Sequence, residues 1–327
     1  MWTIAAAAIA AAAHLASVQL PANLNLYSVQ PDGKNLLVIG DTATGGHCVF
    51  VRVSEVPLRV IARGSGDCSR TSAELIHPVL EYDPRSFTVR VRIARAGGEG
   101  PVVMTFQQYS DTHLETAYGP GSLWLFDSET SKGAEVVQVS TRTGRVENIV
   151  AMPKIYRPFL AADSDGLWLA IAPNGGAPRG LSPIYLVVPG ARAPKLIHRS
   201  GRAALWIVAD RHTVVADVLS GTRGQELWRF DGDRARKLAP ATELNNWAAN
   251  VSTDGSTVWT VREVPENGNY IQCDALQVIR IDAATGAQAV AATIRTPGSH
   301  CYGVTYSTFA DGAFAFLDGH RLFRVTA

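Results

Sequence analysis

Three of the eight histidines stand in matching surroundings. His77 leads through Pro78 into VLEY, His113 leads into LETAY, and His300 leads through Cys301 and Tyr302 into a VTYSTF run. Arg157 precedes PFLAA, Arg202 precedes AALWIVA, and Trp247 precedes AANVS, so each closes a polar stretch before a β-prone one. Imidazoles that converge could hold a divalent ion or act as general acid and base. A guanidinium could grip a carboxylate or phosphate at two points. The candidate binding set is therefore His77, His113, Arg157, Arg202, Trp247, His300 and Tyr302. These positions are spread along most of the chain, so only a repeating architecture could bring them to one mouth.

The usual catalytic signatures are missing. Gly64-Ser65-Gly66 lacks the Gly-x-Ser-x-Gly turn and its strand-to-helix setting. No Gly-rich phosphate loop leads into a helix, and no Cys-x-x-Cys pair offers a thiolate zinc site. Asp163-Ser164-Asp165-Gly166 is half of a calcium loop without the further oxygen ligands or the distant Glu that calcium requires. No metal and no cofactor is expected.

The positioning elements come from an internal repeat. Seven segments share one form: a short β-prone run, a turn, and a second run. LYSVQPDGKNLLVI, FLAADSDGLWLAI and AANVSTDGSTVWTV are three of them. Their turns centre on Asp32, Pro84, Pro120, Asp165, Asp210, Asp254 and Asp311, mostly 44 to 57 residues apart. Asp-Gly and Pro-containing turns supply the backbone angles at which a hairpin reverses. After most of these hairpins comes a second, such as AEVVQVSTRTGRVENIV. Four strands per unit cannot bury both faces alone, but stacking the units around an axis can. The expected fold is all-β, a seven-bladed β-propeller of four-stranded antiparallel blades, with six or eight blades as alternatives. Trp124, Trp168, Trp259 and Phe314 should pack between blades. The second unit shows no fourth strand. The last unit lacks one too, and the stretch Val18–Asn23 could supply it.

Four cysteines fall at repeated corners. Cys48 and Cys68 bracket the second hairpin of unit one, and Cys273 and Cys301 bracket that of unit six. Two disulfides, Cys48–Cys68 and Cys273–Cys301, are expected, and with them an oxidising compartment. The start, MWTIAAAAIAAAAHLAS, has the apolar core of a secretory signal without a preceding basic residue. Residues 1–16 are read as a signal peptide or membrane anchor and 17–327 as a single propeller domain. A formal net charge of +1, with no basic run, gives no support for nucleic-acid binding.

The phrases GSLWLFD, VVQVSTRTGRV, DGLWLA and VIRIDAATGA resemble the secreted β-propellers of bacteria, in particular the streptogramin-lyase-like, NHL-like and quinoprotein-like groups. The resemblance implies the propeller scaffold and assigns no functional residue, because it sits in scaffold positions. The expected role is an extracellular recognition or scaffold module, not an enzyme in its own right, that binds a protein, peptide or glycan through the mouth loops as a monomer. The alternative is a channel-mouth lyase or hydrolase using His77, His113 or His300 with a divalent metal. A third reading is an envelope protein tethered by an uncleaved N-terminus.

Overall fold

The computed structural model describes residues 14–32, 35–42, 48–55, 57–66, 77–95, 98–107, 114–130, 133–153, 158–171, 182–200, 204–210, 213–219, 225–231, 234–239, 251–266, 269–300, 304–310 and 312–326. They form an all-β, seven-bladed propeller. Blade 1 holds β2 (Leu24–Asp32), β3 (Asn35–Thr42), β4 (Cys48–Glu55) and β5 (Leu58–Gly66). Blade 2 holds β6 (His77–Asp83), β7 (Thr88–Arg95) and β8 (Gly98–Gln107). Blade 3 holds β9 (Glu115–Gly119), β10 (Ser122–Thr130), β11 (Gly133–Ser140) and β12 (Val146–Ala151). Blade 4 holds β13 (Pro158–Asp163), β14 (Gly166–Ile171), β15 (Ser182–Val187) and β16 (Lys195–Ser200). Blade 5 holds β17 (Ala204–Asp210), β18 (Thr213–Leu219), β19 (Gln225–Asp231) and β20 (Arg234–Ala239). Blade 6 holds β21 (Val251–Thr253), β22 (Thr257–Glu266), β23 (Asn269–Asp282) and β24 (Gln288–His300). Blade 7 holds β25 (Val304–Ala310), β26 (Ala313–Asp318), β27 (Arg321–Thr326) and, from the other end of the chain, β1 (His14–Gln19).

The closing strand lies four residues upstream of the stretch expected to supply it. β1 pairs with β27 from His14↔Thr326 to Gln19↔Arg321. A domain boundary after residue 16 would fall inside this strand. Among the described residues blade 2 has three strands, and its β8 meets blade 3 at the single pair Thr130↔Phe106, which joins the two blades into one seven-stranded sheet.

The second strand of most blades is buried on both faces, as stacking requires. Leu123–Phe126, Leu167–Ala170 and Ala313–Leu317 are all buried. Trp124 and Trp259 are fully enclosed and Trp168 is 3% exposed, so the tryptophans pack between blades as expected. Trp168 Nε1 donates to Asp163 Oδ1 at 3.2 Å, and the same oxygen accepts from the Asp165 amide at 2.8 Å. That carboxylate is a turn device, which accounts for the calcium-like spelling. Gly166 follows at φ +138, and a Cβ there would stand 2.1 Å from the Val187 carbonyl oxygen, so the turn excludes any side chain.

Neither expected bridge, Cys48–Cys68 or Cys273–Cys301, is borne out among the described residues. No Sγ–Sγ pair stands at bonding distance among the described residues. In the described ladders Cys48 stands opposite Gly66 and Cys273 opposite Ser299. The side chains of Cys48, Cys68 and Cys301 lie outside the described residues. Cys273 is fully buried and is not a free thiol. The reading of export therefore rests on the N-terminal composition.

Candidate functional site

The expected rim falls almost wholly outside the described residues. His113, Arg157, Arg202, Trp247 and Tyr302 lie beyond them. His77 begins β6 opposite Ala94, and His300 ends β24 opposite Gln272, so their backbones sit at strand ends where one blade leads to the next. The side chains of both are outside the described residues. Among the described residues no group of three or more His, Cys, Asp or Glu could hold a metal.

The described residues point instead to blade 2. Six apolar clusters seal six junctions: 2–3, 3–4, 4–5, 5–6, 6–7 and 7–1. Among the described residues none seals the junction of blades 1 and 2. The reason is written in β7, whose TVRVRI alternates where β3, β10, β14 and β26 carry continuous apolar runs. Val89, Val91 and Ile93 are buried toward blade 3. Arg90 and Arg92 take the opposite face, where Arg92 Nε lies 2.6 Å from Glu81 Oε1. Period-two alternation is the mark of a sheet with one wet face.

Blade 2 is also set apart at the axis. The inner strands β9, β13, β17, β21, β25 and β2 touch in turn, whereas β6 makes no contact of like extent with β2 or β9. The side chains of β6 on its blade 3 side are consequently left open. Leu80 is 55% exposed and Tyr82 is 50% exposed. They stand opposite Val91 and Val89, the apolar side of β7. Phe87, in the hairpin between β6 and β7, is 61% exposed. It is the one non-glycine residue among those described with a positive φ, 52°. The Asp83 side chain accepts from the Arg85 amide at 2.9 Å and holds this hairpin, and these turn hydrogen bonds keep its carboxyl below the usual range.

Across from β6, Tyr118 of β9 pairs with Leu123, whose side chain packs in the cluster between blades 2 and 3. Its ring is 39% exposed. Burial around the hydroxyl pushes the phenol up to about 12. One of the nine tyrosines should therefore ionise later than the rest in a spectrophotometric titration, and Tyr118→Phe should remove that late step. The folded value lies above the usual unfolded value of about 10. The associated stability is therefore complete below about pH 10 and is lost as pH rises toward 12. Nine tyrosines titrating together would contradict this assignment.

Sequence reasoning missed the Leu80–Tyr82–Phe87 strip. The alternation in β7 was the available signal, since it marks the blade that is not stacked on both sides.

No protein-family model and no curated protein matches the sequence. Solved structures do match its shape. A puromycin-hydrolysing peptidase of Mycobacterium tuberculosis aligns over 90% of this chain and 49% of its own, at TM-score 0.58 and 11% identity. The chain thus spans about half the length of that protein. The β-propeller domain of the Trilobed protease from Pyrococcus furiosus aligns over 93% of this chain and 90% of its own, at TM-score 0.58 and 9% identity. That domain is described as having an open velcro topology, whereas here β1 closes the last blade. A structure from a study of two prolyl endopeptidases aligns over 84% of this chain and 41% of its own, at TM-score 0.52 and 12% identity. These likenesses show that the fold is related to known propeller domains.

Proposed function

We propose that the chain is a recognition propeller that binds a polypeptide segment along the open side of β6 and performs no chemistry of its own. The exposed strip of Leu80, Tyr82 and Phe87 carries this reading. Contiguous apolar surface of this kind marks interaction sites in soluble proteins. Aromatic side chains give large contact area for little conformational entropy. Leu80 and Tyr82 are two residues apart on one face, and β6 ends its sheet with β7 on one side only. An extended chain suits such an edge, because its alternate side chains fall on one face. Three solved structures of similar shape are of peptidases or proteases, and a polypeptide ligand is in keeping with that company. Export from the cytoplasm and a monomeric state are part of the same proposal, the first on the strength of the Ala-rich N-terminus.

The test is selection of binding peptides from a random displayed library against the full chain, followed by affinity measurement on a Leu80→Ser/Tyr82→Ser double variant. These side chains are already half in water, so the variant should keep its thermal midpoint. Selected peptides should bind it at least tenfold more weakly, as losing two apolar anchors implies. Equal binding to both proteins would sink the proposal.

A further inference from the structure

The hairpin of β19 and β20 reads RFDGDRAR over residues 229–236. Its register sets Arg229 opposite Arg236 and Asp231 opposite Arg234. All four side chains therefore share one face, the one turned toward blade 6. With Ala235 and Ala284 they line an open cavity of about 670 Å³. Like charges directly opposite one another destabilise a ladder, so this pairing calls for a reason.

Part of the compensation comes from blade 6. Arg229 Nη1 donates to the Ala283 carbonyl at 2.7 Å, and Arg236 Nη2 donates to the same oxygen at 2.6 Å. Arg236 Nη1 donates to the Ala284 carbonyl. Arg229 Nε lies 2.7 Å from Asp231 Oδ2. Carbonyl oxygens satisfy N–H groups but carry no net charge. Arg236 is thus fixed in place with its charge unneutralised by these contacts and with N–H donors to spare, since a guanidinium has five. Asp282 is near enough to Arg236 to feel its charge. Its carboxylate accepts from the Thr285 amide at 2.6 Å and the Thr285 hydroxyl at 2.7 Å within its own turn, and offsets the Arg236 charge from a distance without forming an ion pair with it. Arg234 stands exposed at the cavity mouth.

We propose that this cavity between blades 5 and 6 is an oxyanion site that takes a phosphate or sulfate group, free or carried by a larger ligand. Arg234 and Arg236 grip the anion, and Arg229, paired with Asp231, stands behind them. Anchoring to the Ala283 and Ala284 carbonyls orders the guanidinium groups before the ligand arrives, which lowers the entropic cost of binding. The site shares no residue with the strip on blade 2 and stands independently of it.

Calorimetric titration of the full chain with inorganic phosphate, inorganic sulfate and phenyl phosphate tests the site. One saturable site is expected. Affinity should fall about tenfold in Arg234→Ala, the loss of one charge-assisted contact, and by a similar factor in Arg236→Lys, which keeps charge but loses the planar fork. Asp231→Asn should bind more tightly. Arg234→Ala changes an exposed side chain beside the turn and should leave the thermal midpoint unchanged, which separates binding from folding. Tighter binding of the ester than of the free ions would assign the site to a larger ligand, and equal binding would assign it to the ion; both support the site. Absence of saturable binding, or affinity unchanged in both arginine variants, overturns it.

Discussion

Replacing Phe314 by alanine should lower the stability of the propeller by about 3–5 kcal/mol, the range for a buried aromatic truncated in a packed core. Phe314 is fully enclosed. Its ring centroid is 5.8 Å from that of Trp259 in blade 6 and 5.6 Å from that of Phe316, and Phe316 is 5.2 Å from Phe323. The four rings form one stacked file across the junction of blades 6 and 7. Removing the second ring leaves a cavity between two blades held apart by their own sheets, so neither can collapse to fill it. Phe314→Leu, closer in volume, should cost less than half as much. Urea unfolding of the two variants decides the matter. Similar small losses in both would mean that the file is not a structural joint.

Truncation of the N-terminus should show a sharp threshold. A chain beginning at residue 14 keeps the whole of β1, whereas one beginning at residue 20 leaves β27 with an open edge. Six residue pairs are lost. At about 1 kcal/mol of net contribution per hydrogen bond, the loss is roughly 5 kcal/mol. The side chain of Val18, which packs against the cluster of blades 7 and 1, goes as well. An uncovered edge strand also invites pairing between molecules. The shorter chain should therefore melt earlier and aggregate, and the longer one should match the full chain. Equal melting of both would mean that the ring does not depend on this closure.

The blade plan was legible because it rests on local chemistry. Six of the seven turn centres, from Asp32 to Asp254, sit in or beside the hairpin between the first two strands of a blade, and Asp311 lies outside the described residues. The three-stranded blade 2 and the borrowed strand of blade 7 were legible too, as shortfalls in the repeat. The position of β1 was not. HLASVQ directly follows an Ala-rich run and has no turn signal or clear alternation of its own to mark it, and His14–Gln19 is defined as a strand by the edge that β27 offers. The exposure of Leu80 and Tyr82 was not legible either, since it depends on how far β6 stands from β9. The same limit hid the arginine cavity. The spelling RFDGDRAR gives the alternation, but only the neighbouring turn at Ala283 and Ala284 makes it a walled space.

The closure of blade 7 also sets a schedule. The Thr326 hydroxyl donates to the His14 carbonyl across 312 positions of chain. Synthesis delivers β1 long before β27. At about 5–20 residues per second, the first strand waits on the order of tens of seconds for its partner to exist. Blades 1 to 6 can assemble during that interval, but the ring cannot shut before β27 is made. The molecule is therefore an open arc until β27 emerges, and that strand acts as its latch.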